Sequence, residues 1–257
     1  MGWVETIYSG ITFYQCQELN DQQVVQAISD RNFGNLALHT GDDPEAVVAR
    51  RESWLKALGL GLEGLVCGVQ VHGTRVAVAH ETAAGSGAYS LCGAIPETDA
   101  LITNRSGIVL ATFTADCLPI FIYDPVKPAI GIIHAGWRGT IDRIAAATME
   151  RMVETFGTFP GHCLAAIGPS ICAGCFRVDE RLAERFAKVH SQTVIKDQSG
   201  FSIDLQAFNR IELTEIGVCS NHIYEAQFCT KCQAERFFSY RADHGKTGRM
   251  MGVIALK

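Results

Sequence analysis

The chain has 257 residues, 47% of them hydrophobic and 19% charged, with a formal net charge of −5. That length buries a substantial core, and the acidic balance excludes the basic face or tail that a nucleic-acid partner would require. No Pro/Ser-rich linker, charge block or repeat divides the sequence, so residues 1–257 are expected to form a single domain. No apolar stretch approaches the roughly 18 uncharged residues of a spanning helix, and the N-terminal MGWVETIY lacks the plan of a signal peptide. A cytoplasmic protein without membrane contact is expected. Its ten cysteines are expected to be mostly reduced thiols, one of them a ligand, because a core of this size needs no disulfides.

Apolar alternation predicts two N-terminal strands, 3–7 and 11–16, joined at Ser9-Gly10. Asp42-Asp43-Pro44 opens a helix that Gly59 ends. Its apolar stripe is Val47, Trp54, Leu55 and Leu58, and Arg51 falls inside that stripe, where a guanidinium is expected to require an anion. Residues 65–71 and 75–79 read as a hairpin turning at His72-Gly73-Thr74, followed by a glycine-rich loop over 85–93. Strands are predicted at 99–103, 108–113, 118–123 and 130–134, with connections too short for crossover helices, hence a mixed or antiparallel sheet. Thr140 is expected to cap a helix ending near Gly157, and 163–167 reads as a buried strand. Helices from Asp179 to about Val189 and from Asp204 to Ile216 carry acidic caps, and 250–256 closes the chain as a strand. Clustered strands with helices between the clusters imply an α+β fold with helices outside the β layers.

Chemistry concentrates between Thr114 and Thr140, where Cys117 and His134 stand at the ends of two apolar strands. His72 in QVHGT stands at another strand end. Two imidazoles and one thiolate would form a three-ligand zinc site with an open fourth position; a Cys117 nucleophile with His134 as its base would serve a cysteine hydrolase or amidase acting on cell-wall precursors. A zinc-bearing binding or regulatory module without turnover is a third reading. Asp116 would orient a ligand or serve as general base, although an aspartate beside a strand-end turn more often caps the local backbone. Two C-x-x-C pairs, Cys172/Cys175 and Cys229/Cys232, suggest a structural zinc, but two predicted helices separate them. Neither pair opens a helix after a strand as a thioredoxin-like motif would. The segment YRADHGKTGR reads as a flap or as a solvated hairpin.

The motif HAGWRG preceded by ADC, with QVHGT, SDRNFGNLALHTGDDPEAV, IGPSIC and FFSYRADHGKTGRM, runs through nearly the whole chain. It resembles the multi-copper polyphenol oxidase, or laccase-domain, family, whose bacterial members are also described as purine nucleoside phosphorylases. The resemblance implies a single α/β/β/α sandwich of mixed sheets, with His72, Cys117 and His134 as zinc ligands. It further implies phosphorolysis of adenosine, inosine and methylthioadenosine, and deamination of adenosine. Purine nucleoside and phosphate are then the partners of a monomer or homodimer. Arg51 and Arg138 become anion holders, with Arg138 assigned beside Asp116 to the catalytic group; Asn35 and His39 match the family's NLALH and would face the cleft, and Trp137 would stack a purine. Copper in place of zinc, with polyphenol oxidation, follows the family's name; but multi-copper centres need clustered histidines, and this chain has eight in all with no H-x-H pair. The H-x-E with P-C-x-x-C pattern of zinc deaminases is absent, so deamination would use a different base.

Overall fold

Strands that are apolar on both faces must be covered on both faces, and this chain builds two such sheets and stacks them. The computed structural model describes residues 2–8 and 10–257, so Ser9 of the predicted first turn lies outside the described residues. The first sheet holds β1 (Trp3–Tyr8), β2 (Ile11–Cys16) and β3 (Val24–Ser29), then β4 (Leu65–Cys67), and its order is completed by two later strands. The second sheet begins with β5 (Val76–Val78) and β6 (Ala100–Thr103). The chain then crosses between the sheets. It passes from β7 (Val109–Thr114) in the first to β8 (Leu118–Asp124) and β9 (Ala129–Ala135) in the second. β10 (Leu164–Ile167) and, after a small three-stranded sheet of β11 (Arg177–Val178), β12 (Val194–Asp197) and β13 (Gly200–Ile203), β14 (Ile223–Glu225) complete the second sheet. The last strand, β15 (Met250–Leu256), returns to the first sheet between β3 and β7. The orders are β1-β2-β3-β15-β7-β4 and β14-β10-β8-β9-β6-β5, both mixed.

Leu110 and Ile254 of the first sheet meet Phe121, Tyr123, Ile130 and Ile132 of the second in the layer between them. Helix α1 (Pro44–Ala57) covers the outer face of the first sheet through Trp54 and Leu55, which pack with Phe13, Ala111 and Val253. Asp43 caps that helix by accepting the Glu45 N–H, and Pro44 takes the first turn, where its missing N–H costs nothing. After the short α2 (Trp137–Ile141), α3 (Ile144–Phe156) packs on the second sheet together with α4 (Glu180–His190) and α5 (Leu205–Glu215). The result is the α+β, α/β/β/α sandwich.

Three expectations are corrected. Residues 65–79 do not form a hairpin: β4 pairs with β7 and β5 with β6, so His72 lies on a crossover between the sheets. Thr140 does not open the long helix; it is buried inside α2, and Arg143, left-handed at φ 64°, separates α2 from α3. The 237–250 segment is not a hairpin but a series of turns, packed against the end of the sandwich through Phe237 and Phe238.

Candidate metal and substrate site

The crossovers converge at one end of the sandwich. Cys117 sits on the β7–β8 crossover, His72 on the β4–β5 crossover, and His134 near the end of β9, where β8 and β9 pair Pro119 with His134 and Leu118 with Ala135. Ligand atoms of His72, Cys117 and His134 all lie within 4.8 Å of one another. The Cys117 Sγ is 3.9 Å from His72 Nε2, and the two imidazoles meet edge to face at 4.8 Å between centroids. Gly136 belongs to the arrangement, since a Cβ there would stand 2.6 Å from His72 Cδ2 and 3.2 Å from Cys117 Sγ. Only a residue without a side chain leaves room for the ligands.

Asp99, just before β6, holds the His134 imidazole and the backbone of His72. Its carboxylate accepts the backbone N–H groups of Val71, His72 and Gly73 at 2.9–3.1 Å and the Nδ1–H of His134 at 2.8 Å. Three consecutive N–H groups on one carboxylate explain how His72 keeps φ at 64°, an unfavourable value for a side-chain-bearing residue. The Nδ1 bond of His134 leaves its Nε2 free toward Cys117, the tautomer a metal ligand needs. Burial alone would raise the Asp99 carboxyl, but the bond and charge of His134 together with the N–H donors bring it below the usual range. Burial would also raise the Cys117 thiol; the charge of His134 and hydrogen bonds from both imidazoles override it and bring the thiol down to about 6. His134 moves oppositely: burial would lower it, but the Cys117 thiolate and Asp99 raise it to about 9. Without metal the pair is therefore a thiolate facing an imidazolium.

The three donors open into a cavity of about 420 Å³, within the range of small-molecule sites. Phe113, Ile171, Phe176 and Leu205 form apolar wall, while Gln70, His39 and Tyr240 add polar edges. Arg138, Arg241 and Arg249 all border it. Trp137 lines it too, with the Arg138 guanidinium 4.4 Å from the indole centroid. Burial, then the nearby Arg249 charge, holds the His39 imidazole below its ordinary value, so it faces the cavity neutral at pH 7.

Asp116 lines the cavity at φ 85° and is tied down at both oxygens, Oδ1 accepting from Thr230 Oγ1 at 2.6 Å and Oδ2 from the Arg241 N–H at 2.7 Å. Two residues depart from expectation. Arg51 has no anion: it is 2% exposed, and its Nε and Nη1 donate to the carbonyls of Leu36, Gly87 and Ala88 while its plane covers Phe113. Backbone carbonyls of the glycine-rich loop satisfy the charge that the sequence suggested for substrate. Asn35 faces its own loop instead of the cleft, donating to Ala37 O and Thr40 Oγ1 and accepting the Arg249 N–H. Asp99, Gln70, Tyr240, Arg241 and Arg249 were not singled out in the sequence. An aspartate directly before a buried apolar strand was the one available signal, for Asp99.

A family-wide sequence model described as multi-copper polyphenol oxidoreductase laccase matches residues 25–257. The chain belongs to this laccase family. It is 34% identical over 251 residues to the purine nucleoside phosphorylase YlmD of Bacillus subtilis, covering 93% of this chain and 90% of that protein. To the adenosine deaminase RL5 of an unknown prokaryotic organism it is 38% identical, covering 87% of each. Among solved structures, hypothetical protein YfiH of Bacillus licheniformis superposes with a TM-score of 0.91 at 32% identity, covering 95% of this chain and 96% of that one. YlmD of Geobacillus stearothermophilus gives a TM-score of 0.90 at 32% identity over the same shares. The laccase-family sandwich and the α+β architecture read from the sequence agree. Among the described residues no helix is long and apolar enough to cross a membrane.

Proposed function

We propose that this protein is a zinc-dependent purine nucleoside phosphorylase acting on adenosine, inosine or methylthioadenosine, with adenosine deamination as a second activity. One observation carries the reading: a two-histidine, one-cysteine donor set opens into a cavity bordered by three arginines and aromatic walls. Relatives named purine nucleoside phosphorylase and adenosine deaminase support it. The donor set suits zinc, since two imidazoles and a thiolate leave the fourth tetrahedral position for a substrate atom or water. Among the described residues, no metal-capable group gathers more than two histidines, which favours zinc over a multi-copper centre.

When bound, zinc supplies a Lewis acid and lowers the pKa of water. The remaining tasks fall to the chain. Asp99 fixes the orientation of His72 and His134 so that no reorganisation accompanies the reaction. Arg138, Arg241 and Arg249 provide the charge that holds phosphate beside the sugar, through donors suited to phosphate oxygens. Phe113, Phe176 and Trp137 offer flat apolar surface to the base. Asp116 acts through position, anchoring the loop that carries Arg241.

Product analysis tests the reading. Inosine and adenosine are incubated with purified protein, with and without phosphate. Free base with ribose 1-phosphate, formed only when phosphate is present, is the expected result; nucleosides recovered intact under both conditions would overturn it. A second reading draws support from one observation, the chain Asp99–His134–Cys117, which has the order of orienter, base and nucleophile in a cysteine hydrolase. It requires activity that survives metal removal and is lost on thiol alkylation.

A further inference from the structure

Four thiols meet outside the cavity. Cys172 and Cys175 lie between β10 and β11, and Cys229 and Cys232 follow β14, corresponding members being 57 positions apart in the chain. The helices between the two pairs, which argued against a common site in the sequence, fold away onto the second sheet. A backbone bridge from Ser170 to Cys229 then draws the two turns side by side. The sulfurs all lie within 4.8 Å of one another, with Cys175 and Cys232 at 3.4 Å. A tetrahedron with metal–sulfur bonds of about 2.3 Å has sulfur–sulfur edges of about 3.8 Å, so the cluster has the size a metal requires.

Each pair is a tight turn. The Cys175 and Phe176 N–H groups donate to Cys172 O at 3.0 Å, and the Gln233 N–H donates to Cys229 O at the same distance. Two further N–H groups, those of Cys172 and Cys232, point at Cys229 Sγ at 3.3 and 3.4 Å, as donors that stabilise a thiolate. All ten cysteines are free thiols, so no disulfide accounts for the grouping.

We propose that Cys172, Cys175, Cys229 and Cys232 form a tetrathiolate zinc site, separate from the His72–Cys117–His134 group, that joins the two loops bordering the cavity. Four protein ligands close the coordination shell, so this metal is structural. Its place gives it a task. Ile171 and Phe176, beside the first pair, line the cavity. Thr230, beside Cys229, donates to Asp116, and the same chain segment continues to Tyr240 and Arg241 on the cavity edge. A metal at the four sulfurs therefore fastens both loops against the crossover that carries Cys117.

The test removes the first site and asks what remains. The H72A/C117S variant, purified under reducing conditions without chelator, is expected to retain one zinc per chain by mass spectrometry. Loaded with cobalt, it is expected to show the intense thiolate-to-metal charge-transfer bands of four sulfur ligands. Adding C175S/C232S to that variant is expected to abolish both signals. Hydrogen exchange on C175S/C232S alone is expected to speed up in residues 226–243. Absence of zinc from H72A/C117S, a cobalt spectrum without sulfur charge transfer, or a thiol titration showing the four cysteines paired as disulfides would overturn the site. Exchange rates unchanged in 226–243 would overturn its bracing role. None of these readouts depends on nucleoside turnover.

Discussion

Asp99 does more for the site than any residue that faces the cavity. It is buried, takes four hydrogen bonds, and fixes the His134 imidazole and the backbone that carries His72 at once. Asp99→Asn keeps its shape but removes its charge and forces an N–H donor toward groups that already donate. Zinc affinity at the Cys117 site is expected to fall about 10- to 100-fold, as for other outer-shell partners of metal ligands. Competition against a chromophoric chelator, in the C175S/C232S background, measures it, and an unchanged affinity would dismiss the orienting role. The coupled Cys117–His134 pair makes a pH statement about the metal-free protein. The thiol is lowered from its ordinary value near 9 to about 6 and the imidazole raised from about 6.5 to about 9. The thiolate's contribution to stability is lost as pH falls through about 6, and the imidazolium's is lost as pH rises through about 9. Alkylation of Cys117 in metal-free protein is expected to reach half its maximal rate near pH 6; a midpoint near 9 would show an ordinary thiol. Cys117 and His134 were legible as a pair from their strand-end positions. The partner that holds them was not, because a carboxylate's target lies across a sheet register that residue spacing does not encode.

At the scale of elements, legibility followed capping. α1, α4 and α5 carry Asp43, Asp179 and Asp204 as side-chain caps, and their starts were read correctly. β4 and β5 are three-residue edge strands that carry no mark of which sheet they join, so they were read as a hairpin. The turn from β9 into α2 is the element on which the ligand geometry depends. Gly136→Ala places a methyl group against His72 and Cys117. Circular dichroism is expected to stay native while zinc affinity at this site drops about tenfold or more, because ligand positions tolerate little displacement. Native affinity in that variant would mean that the ligands have slack that the packing does not show.

The whole molecule is interleaved. The last strand, β15, lies between β3 and β7 in the middle of the first sheet, and the chain crosses between sheets at Cys117 and His72. Neither sheet can close without segments from both halves of the sequence, so we propose one cooperative unit over residues 1–257. Calorimetry is expected to give a single transition whose calorimetric and van't Hoff enthalpies agree; two resolved transitions would show separable domains. This interleaving is also why the cysteine pairs could not be matched from sequence, since distance along the chain says little where β10 and β14 run parallel as neighbours. We propose that His72, Cys117 and His134 hold the zinc on which nucleoside phosphorolysis depends. The most direct measurement follows ribose 1-phosphate formed from inosine and phosphate by the native protein, by protein stripped with chelator, and by stripped protein given back zinc. The account expects activity in the first, loss in the second and recovery in the third. Full turnover by stripped protein, abolished by alkylating Cys117, would contradict it and make the cysteine the nucleophile.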